Sequence, residues 1–369
     1  MLLPHRMEGV SRYIFETTKR MVLNNPDVEF HFLFDRAYDE RFIFSENVIP
    51  HVLVPQARHP ILWYIWFEHA VPRILKKYNI DVFYSGDMWL SLKTKIPTLL
   101  VSHDLNYIHY PEGVKWSHLK FLNYFFPRYH KRANHIMTVS QYSKQDIIKQ
   151  YKIDADKITV AYNALPDNFH PMHDEEKAAF KNAFTDGQDY FVYIGSMHPR
   201  KNLKRLLLAF ALYKQKSNSN DKLVLFGRLA FKNSNLFSAY DALDCKEDIV
   251  FLNDDNCKIS EALGAAEALC YVSLFEGFGI PILEAFKSEV PVITSNITSM
   301  PEVSGNAAIL IDPNSEDDIS NAMLSIRSEK EIKNSLVEKG KIRLNDFSWE
   351  TSSELIFDCL KKISKTGRQ

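Results

Sequence analysis

Short apolar runs alternate along the chain with longer stretches whose apolar positions recur at helical spacing. That alternation predicts an α/β protein with parallel sheets, because parallel neighbours need a crossover and a helix supplies it. In the first half the runs predict strands over residues 28–34, 81–84, 97–101, 135–139 and 158–162. Helices are predicted between them, over 9–23, 61–78, 116–132 and 140–150, with Ser140 as an N-cap. Residues 163–188 break the pattern. Pro166, Pro171, an acidic cluster and Gly187 read as a linker followed by a short helix. A second series then begins, with strands over 190–194, 222–226, 249–252, 268–272, 291–294 and 307–311. Its helices fall near 203–215, 259–266, 281–288, 317–328 and 330–343, and a last amphipathic helix covers 349–363. Two doubly wound units follow, residues 1–169 and 170–346, with 347–369 as a closing segment. Ligands of such sheets bind outside the carboxyl ends of the strands, so a cleft between the units is expected.

Composition narrows the classes. The 369 residues are 46% hydrophobic and 25% charged, enough for large cores. A net charge of −1 argues against general nucleic-acid binding. Residues 1–169 carry 21 basic against 17 acidic side chains, and residues 170–369 carry 24 against 29. The mildly basic first half would suit an anionic acceptor or a membrane surface, or is ordinary surface scatter. Cys245, Cys257, Cys270 and Cys359 form no CxxC pair, so reduced thiols in the cytoplasm are expected and no zinc or redox site. No apolar stretch approaches the roughly 20 residues that span a bilayer, and MLLPHRMEG is too short and polar for a signal peptide. The expectation is a cytoplasmic protein, at most attached to a membrane from one side. Residues 58–77, with Trp63, Trp66 and Phe67 between basic ends, offer such a contact; a helix packed on a sheet accounts for them equally well.

Three constellations carry chemistry. In YIGSMHPRKNLKRLLLAF, residues 193–210, a strand ends at Gly195 and Arg200 and Lys201 precede a helix, where free N–H groups already favour anions. In SLFEGFGIPILE, residues 273–284, a strand runs into a glycine-rich turn and a helix opened by Pro281. The amides of Phe278, Gly279 and Ile280 there suit a pyrophosphate or a sugar hydroxyl. Glu276 in the turn and Glu284 one helical turn on read as two hydroxyl acceptors at different places along one ligand. In TLLVSHDLNYIHYPE, residues 98–112, a buried strand ends at His103 and Asp104, where a hydroxyl could be bound or deprotonated. His103 bonded to Asp104 or to backbone is the structural alternative. Asn163, ending a strand, adds to this acceptor side. The loop 294–305 is expected to be another wall. No P-loop and no complete GxGxxG is present, and no metal ligand set is expected.

Gly195 with PRKN, then EGFGIPILEA, then PVITSNITSMPEV, together resemble the family 4 glycosyltransferases, retaining enzymes of the GT-B fold. SRY, SHDL, VSQYS, VAYNA and FSWE extend the resemblance over nearly the whole chain, and the spacing of Glu276 to Glu284 is its most specific element. The resemblance implies two Rossmann-like domains and a last helix crossing back to the first. It implies that Arg200 and Lys201 hold the donor diphosphate, which Gly9 approaches. Glu276 would meet the donor sugar with the Phe278 and Gly279 amides, Glu284 the nucleotide ribose, and His103 the space beside the sugar. Gly195, Ser196, Gly227, Gly277 and Ile280 complete the implied donor set. His103, Arg200, Lys201 and Glu276 form the implied catalytic group. The donor would be a UDP- or GDP-sugar, with no cofactor and no metal. The acceptor would be a glycan or a polyprenyl or other lipid carrier, as in polysaccharide or lipopolysaccharide assembly. Two departures stand out. Residues 1–6 leave the strand before the glycine loop truncated or absent, and Ser196 stands where the family often has Arg. A GT-B epimerase or phosphorylase is the first alternative; a non-catalytic carbohydrate-binding protein is the second.

Overall fold

The computed structural model describes residues 9–165, 168–228 and 234–366. The chain forms two compact units. One comprises Met1–Asn163 with Ser348–Gln369, the other Ala164–Phe347, against expected boundaries after residues 169 and 346.

The first unit opens with α1 (Gly9–Leu23), which leads to β1 (Phe30–Phe34) and β2 (Val48–Val52). β2 escapes the hydrophobic pattern because Pro50 and His51 interrupt it. Pro50 is tolerated because β2 pairs only with β1, Phe32 opposite Pro50. The expected helix over 61–78 is present but not uniform. α2 (Pro60–Ile65) passes through a wider π turn at Trp66–Ala70 into α3 (Val71–Lys77). Pro72 cannot donate the next ladder bond, and the Val71 amide instead reaches Trp66. Trp66 and Phe67, read as candidate membrane contacts, are buried, and Trp63 donates to the Ala57 carbonyl and packs on Trp89. Packing on the unit's own core thus claims these rings.

β3 (Phe83–Ser85), β4 (Thr98–Ser102), β5 (His135–Thr138) and β6 (Ile158–Val160) form a four-stranded parallel sheet in that order. β4 is buried at every position, which is why it reads as one apolar run. α4 (Asn106–His109), α5 (Trp116–Arg132) and α6 (Gln141–Tyr151) connect these strands. The Ser140 hydroxyl accepts from the Ser143 amide and caps α6 as expected. Among the described residues, β1–β2 and β3–β6 form the parallel sheets of this unit. A cavity of about 760 Å³ touches β1 and β3 together, lined by Ile14, Met21, Phe32, Phe34, Phe83 and Leu360 among others. The expectation of a truncated first strand falls on residues 1–6, outside the described residues.

The second unit opens with α7 (Asp174–Phe184), the short helix expected after the linker. It continues through β7 (Tyr190–Ile194), α8 (Leu203–Ser217), β8 (Lys222–Phe226), α9 (Ser234–Asp241), β9 (Ile249–Leu252) and α10 (Ile259–Gly264). β10 (Ala268–Tyr271), α11 (Ile280–Lys287), β11 (Val292–Ser295), α12 (Met300–Ser304), β12 (Ile309–Ile311), α13 (Glu316–Ser328) and α14 (Lys330–Arg343) complete it. The six strands are all parallel, in the order β12-β11-β10-β7-β8-β9. Winding proceeds outward from β7 to β9 on one side and from β10 to β12 on the other. The carboxyl ends of β7 and β10 therefore flank the switch point where such sheets bind ligands.

The chain then returns to the first unit as α15 (Trp349–Thr366). Trp349 meets Tyr13 of α1 edge to face, Arg20 pairs with Glu350, and the Ser352 hydroxyl donates to the Tyr162 carbonyl. Trp349 is buried, so its ring is the main apolar anchor of this return. Trp349→Ala is expected to cost about 3–5 kcal/mol of stability in urea denaturation. A loss below about 1 kcal/mol would contradict the anchoring role.

Candidate active site

The switch point is built from two strand-ending glycines. Gly195 after β7 has φ +140° and Gly227 after β8 has φ +149°. A Cβ on Gly227 would lie 2.0 Å from the Gly195 carbonyl oxygen, so no larger residue fits beside the turn that ends β7. Gly227 thus serves the site by letting the Gly195 backbone pass. Beyond Gly195, Ser196 is exposed and the His198 ring accepts from the Arg200 amide, capping a 3-10 turn, Pro199–Lys201. Arg200 and Lys201 precede the long helix, as the sequence reads: they sit in this turn ahead of α8, and Asn202, in a left-handed conformation, separates turn from helix. The Asn202 side chain donates to the carbonyls of Val272 and Pro313, and the Leu274 amide donates to the Arg200 carbonyl. The loops after β7 and β10 are therefore fastened together.

That fastening brings Glu276 between two cations. Arg200 lies 2.9 Å from one carboxylate oxygen and also donates to the Phe275 carbonyl at 2.7 Å. Lys201 Nζ lies 2.5 Å from the other oxygen and donates to the Tyr271 hydroxyl at 2.8 Å. Lys201 and Glu276 are buried. Burial alone would raise the Glu276 carboxyl, but Lys201 and Arg200 outweigh it and hold it down at about 2. Burial, and then Glu276 itself, push the hydroxyls of Tyr193 and Tyr271 well above the ordinary tyrosine range. The Ser299 hydroxyl, from the loop before α12, sits 2.9 Å from the carbonyls of both Glu276 and Phe278 and fixes the glycine-rich turn. The sequence read residues 294–305 as a loop forming another wall; Met300–Ser304 of it is helical.

Gly279, at φ +105°, turns the chain into α11, and Pro281 falls in the first helical turn, where a missing N–H costs nothing. Gly277 and Phe278 are buried, Ile280 and Glu284 partly so. Glu284 lies within α11. This one region of the second unit thus gathers Gly195, Ser196, Arg200, Lys201, Gly227, Glu276, Gly277, Phe278, Gly279, Ile280 and Glu284. Tyr271, Asn202 and Ser299 belong to it as well. Sequence reasoning passed over them because Tyr271 lies inside an apolar strand and the other two resemble ordinary loop residues.

Gly9, His103, Asp104 and Asn163 belong to the first unit. Gly9 is the exposed first described residue of α1. His103 follows β4 directly, is buried, and stands edge-on to Tyr13. Its Nε2 lies 2.8 Å from the Gly86 carbonyl; a carbonyl only accepts, so Nε2 carries the proton. Burial pushes the imidazole below its usual range, against the pull of that hydrogen bond and of Asp104 and Asp87. His103 is thus neutral, with its lone pair on Nδ1. One Asp104 oxygen accepts from the Asn106 amide at the start of α4. Asn163 is buried, and its Oδ1 has no hydrogen-bond partner. Asp154 and Asp156, the sequence's single Asp-x-Asp tripeptide, are exposed in the turn that precedes β6 and lie away from any carboxyl strand end.

Residues 174–343 match the family described as Glycosyl transferases group 1, and residues 7–169 that described as Glycosyltransferase Family 4. The chain is 26% identical to O-antigen chain mannosyltransferase B of Escherichia coli, over 98% of each protein. It is 27% identical to O-antigen chain mannosyltransferase RfbU of Salmonella typhimurium over 78% of each. Among solved structures, Anabaena HepE in complex with UDP and glucose matches with a TM-score of 0.73 at 15% identity, over 97% of each chain. WaaG, a glycosyltransferase involved in lipopolysaccharide biosynthesis, matches with a TM-score of 0.71 at 15% identity, again over 97% of each. At these identities the structures establish the fold alone, and it is the GT-B fold that the sequence motifs implied.

Glu276→Gln would leave buried Lys201 and half-buried Arg200 without a counter-charge and is expected to cost about 3–5 kcal/mol at neutral pH. Because the carboxyl is held at about 2, below its ordinary 4.5, its contribution is complete above 4.5 and is lost as pH falls toward 2. Urea denaturation of wild type and variant should therefore converge through that window. A stability gap that stayed constant across it would contradict the triad.

Proposed function

This chain belongs to the family 4 glycosyltransferases, and from that premise we propose that it moves a hexose from a nucleotide diphosphate sugar to a glycan or lipid-linked acceptor, with retention at the anomeric carbon. The observation that carries this reading is the Arg200–Glu276–Lys201 triad, with Glu276 and Lys201 buried, at the switch point of the second unit. A donor diphosphate replaces the Glu276 carboxylate as partner of the two cations. The freed carboxylate then accepts from a hydroxyl of the sugar. Glu284 accepts from the ribose, and the turn from Gly277 to Ile280 lies along the diphosphate.

The bond between C1 and the β-phosphate oxygen breaks as the acceptor oxygen approaches C1. Negative charge grows on the leaving diphosphate beside Arg200 and Lys201, which are already in place and need no reorganisation. The leaving phosphate oxygen takes the acceptor proton on the same face, so the anomeric configuration is kept. Two fixed cations supply the positive charge, and the transfer is proposed to need no divalent metal. His103, neutral with its lone pair on Nδ1, and Asn163, with an unpartnered Oδ1, are the hydroxyl acceptors proposed for the acceptor side. The names of the relatives put mannose first among the sugars and O-antigen polysaccharide first among the products. The HepE complex supports UDP as one donor base; GDP is the other to test.

The test is a panel of UDP- and GDP-sugars scored by thermal shift and then by transfer to a polyprenyl-linked oligosaccharide. NMR of the product is expected to show the donor's own anomeric configuration, with turnover unchanged by EDTA. Inversion or a strict metal requirement would overturn the mechanism. A product formed without any acceptor would point to an epimerase. Lys201→Met, with circular dichroism confirming the fold, is expected to lower turnover at least about 10-fold. Near-wild-type turnover would remove Lys201 from the catalytic group.

A further inference from the structure

β10 is buried at every position, and Ala268, Leu269 and Cys270 are ordinary core residues there. Tyr271 differs. It brings a hydroxyl to the carboxyl end of the strand, yet it is only 2% exposed. Burying a hydroxyl is unfavourable unless it is hydrogen-bonded. Its partner is Lys201, whose Nζ donates to it at 2.8 Å. The same ammonium lies 4.9 Å from the centre of the Tyr271 ring. One side chain thus offers the cation both an oxygen and a ring.

Tyr271 is itself fixed from several directions. It pairs with Thr294 of β11, and the Thr294 hydroxyl donates to the Tyr271 carbonyl at 2.9 Å. A Cβ placed on Gly279 would lie 3.5 Å from the ring edge, so the ring also packs against the glycine-rich turn. Burial, and then the Glu276 charge, keep the hydroxyl protonated and neutral. Tyr193 on the neighbouring strand β7 is also buried, but its hydroxyl donates to the Ser196 carbonyl at 3.0 Å. One tyrosine therefore holds the loop after β7, and the other holds a cation.

The proposed reaction, on which this role rests, takes Glu276 away from Lys201 and gives the cation to a diphosphate. A lysine ammonium stands on a flexible stem, and losing its carboxylate partner would free it to move. We propose that Tyr271 is the positioning residue that holds the Lys201 ammonium at the switch point through this exchange, so that the donor diphosphate meets a cation already in place. A neutral hydroxyl suits the role, because a second carboxylate would compete with the phosphate for the charge. Phenylalanine at this position keeps the ring and removes only the oxygen.

The test is calorimetric titration of UDP, GDP and their parent nucleosides against wild type, Tyr271→Phe, Lys201→Met and the double variant. The quantity read is the factor by which the diphosphate strengthens binding over the nucleoside. Tyr271→Phe is expected to lower that factor about tenfold, as loss of a hydrogen bond to a charged group would, and to leave nucleoside affinity unchanged. Added to Lys201→Met, it should change the factor by less than about twofold, because the cation it holds is gone. A loss of the same size in both backgrounds, or one shared by the nucleosides, would mean a packing defect and overturn the proposal. So would a Tyr271→Phe protein that keeps the wild-type factor while Lys201→Met loses it. No diphosphate gain in wild type, or a full gain in Lys201→Met, would instead overturn Lys201 as a diphosphate ligand, and the role of Tyr271 with it.

Discussion

The second unit depends on one ion triad. Arg200 and Lys201 leave the end of β7, Glu276 leaves the end of β10, and the two meet where the winding of the sheet reverses. Buried charges such as Lys201 and Glu276 are costly, and neither could be held there singly. Together they leave one net positive charge, pinned by the Tyr271 hydroxyl, the Phe275 carbonyl and Ser299. The glycines serve the same end. Gly227 lets the backbone of Gly195 pass close, and Gly279 turns the chain from the carboxylate into α11. Chemistry and architecture thus share one set of contacts, and preformed cations are what a departing diphosphate needs.

The first unit solves a different problem. Its described strands lie in two sheets, with an apolar cavity touching both. α15 returns from the far end of the sequence to brace α1 through Trp349, Tyr13, Arg20 and Glu350. Aromatic side chains carry much of the packing, and those that face outward are matched with cations. His103 emerges from this frame neutral and held by one backbone carbonyl, suited to accept a hydroxyl's hydrogen bond rather than to carry a proton.

Much of the fold was legible in the sequence because fully buried parallel strands read as unbroken apolar runs, as in β4 and β7. Ser140 was readable as a cap, and α1, α5 and α14 as periodic helices. β2 was hidden by Pro50 and His51, which an edge strand accepts. The π turn within 61–78 was hidden because a proline-induced change of bonding leaves the hydrophobic period nearly intact. In the site, residue types and order revealed Arg200, Lys201, Glu276 and Glu284 but not that Glu276 clamps both cations. Such a contact joins residues some 75 positions apart and follows from strand order alone. The backbone partner of His103 and the contact of the Asp104 carboxylate with the Asn106 amide were not legible, because both follow from loop geometry and not from residue type.

The central claim is that the cations held by Glu276 are the diphosphate receptor. Calorimetric titration of UDP and GDP against their parent nucleosides, in wild type and in Arg200→Gln, tests it most directly. For the preferred base, the account predicts that the diphosphate strengthens wild-type binding by at least about tenfold, and that this gain largely disappears in the variant while nucleoside affinity is unchanged. An equal gain from the diphosphate in both proteins would contradict it.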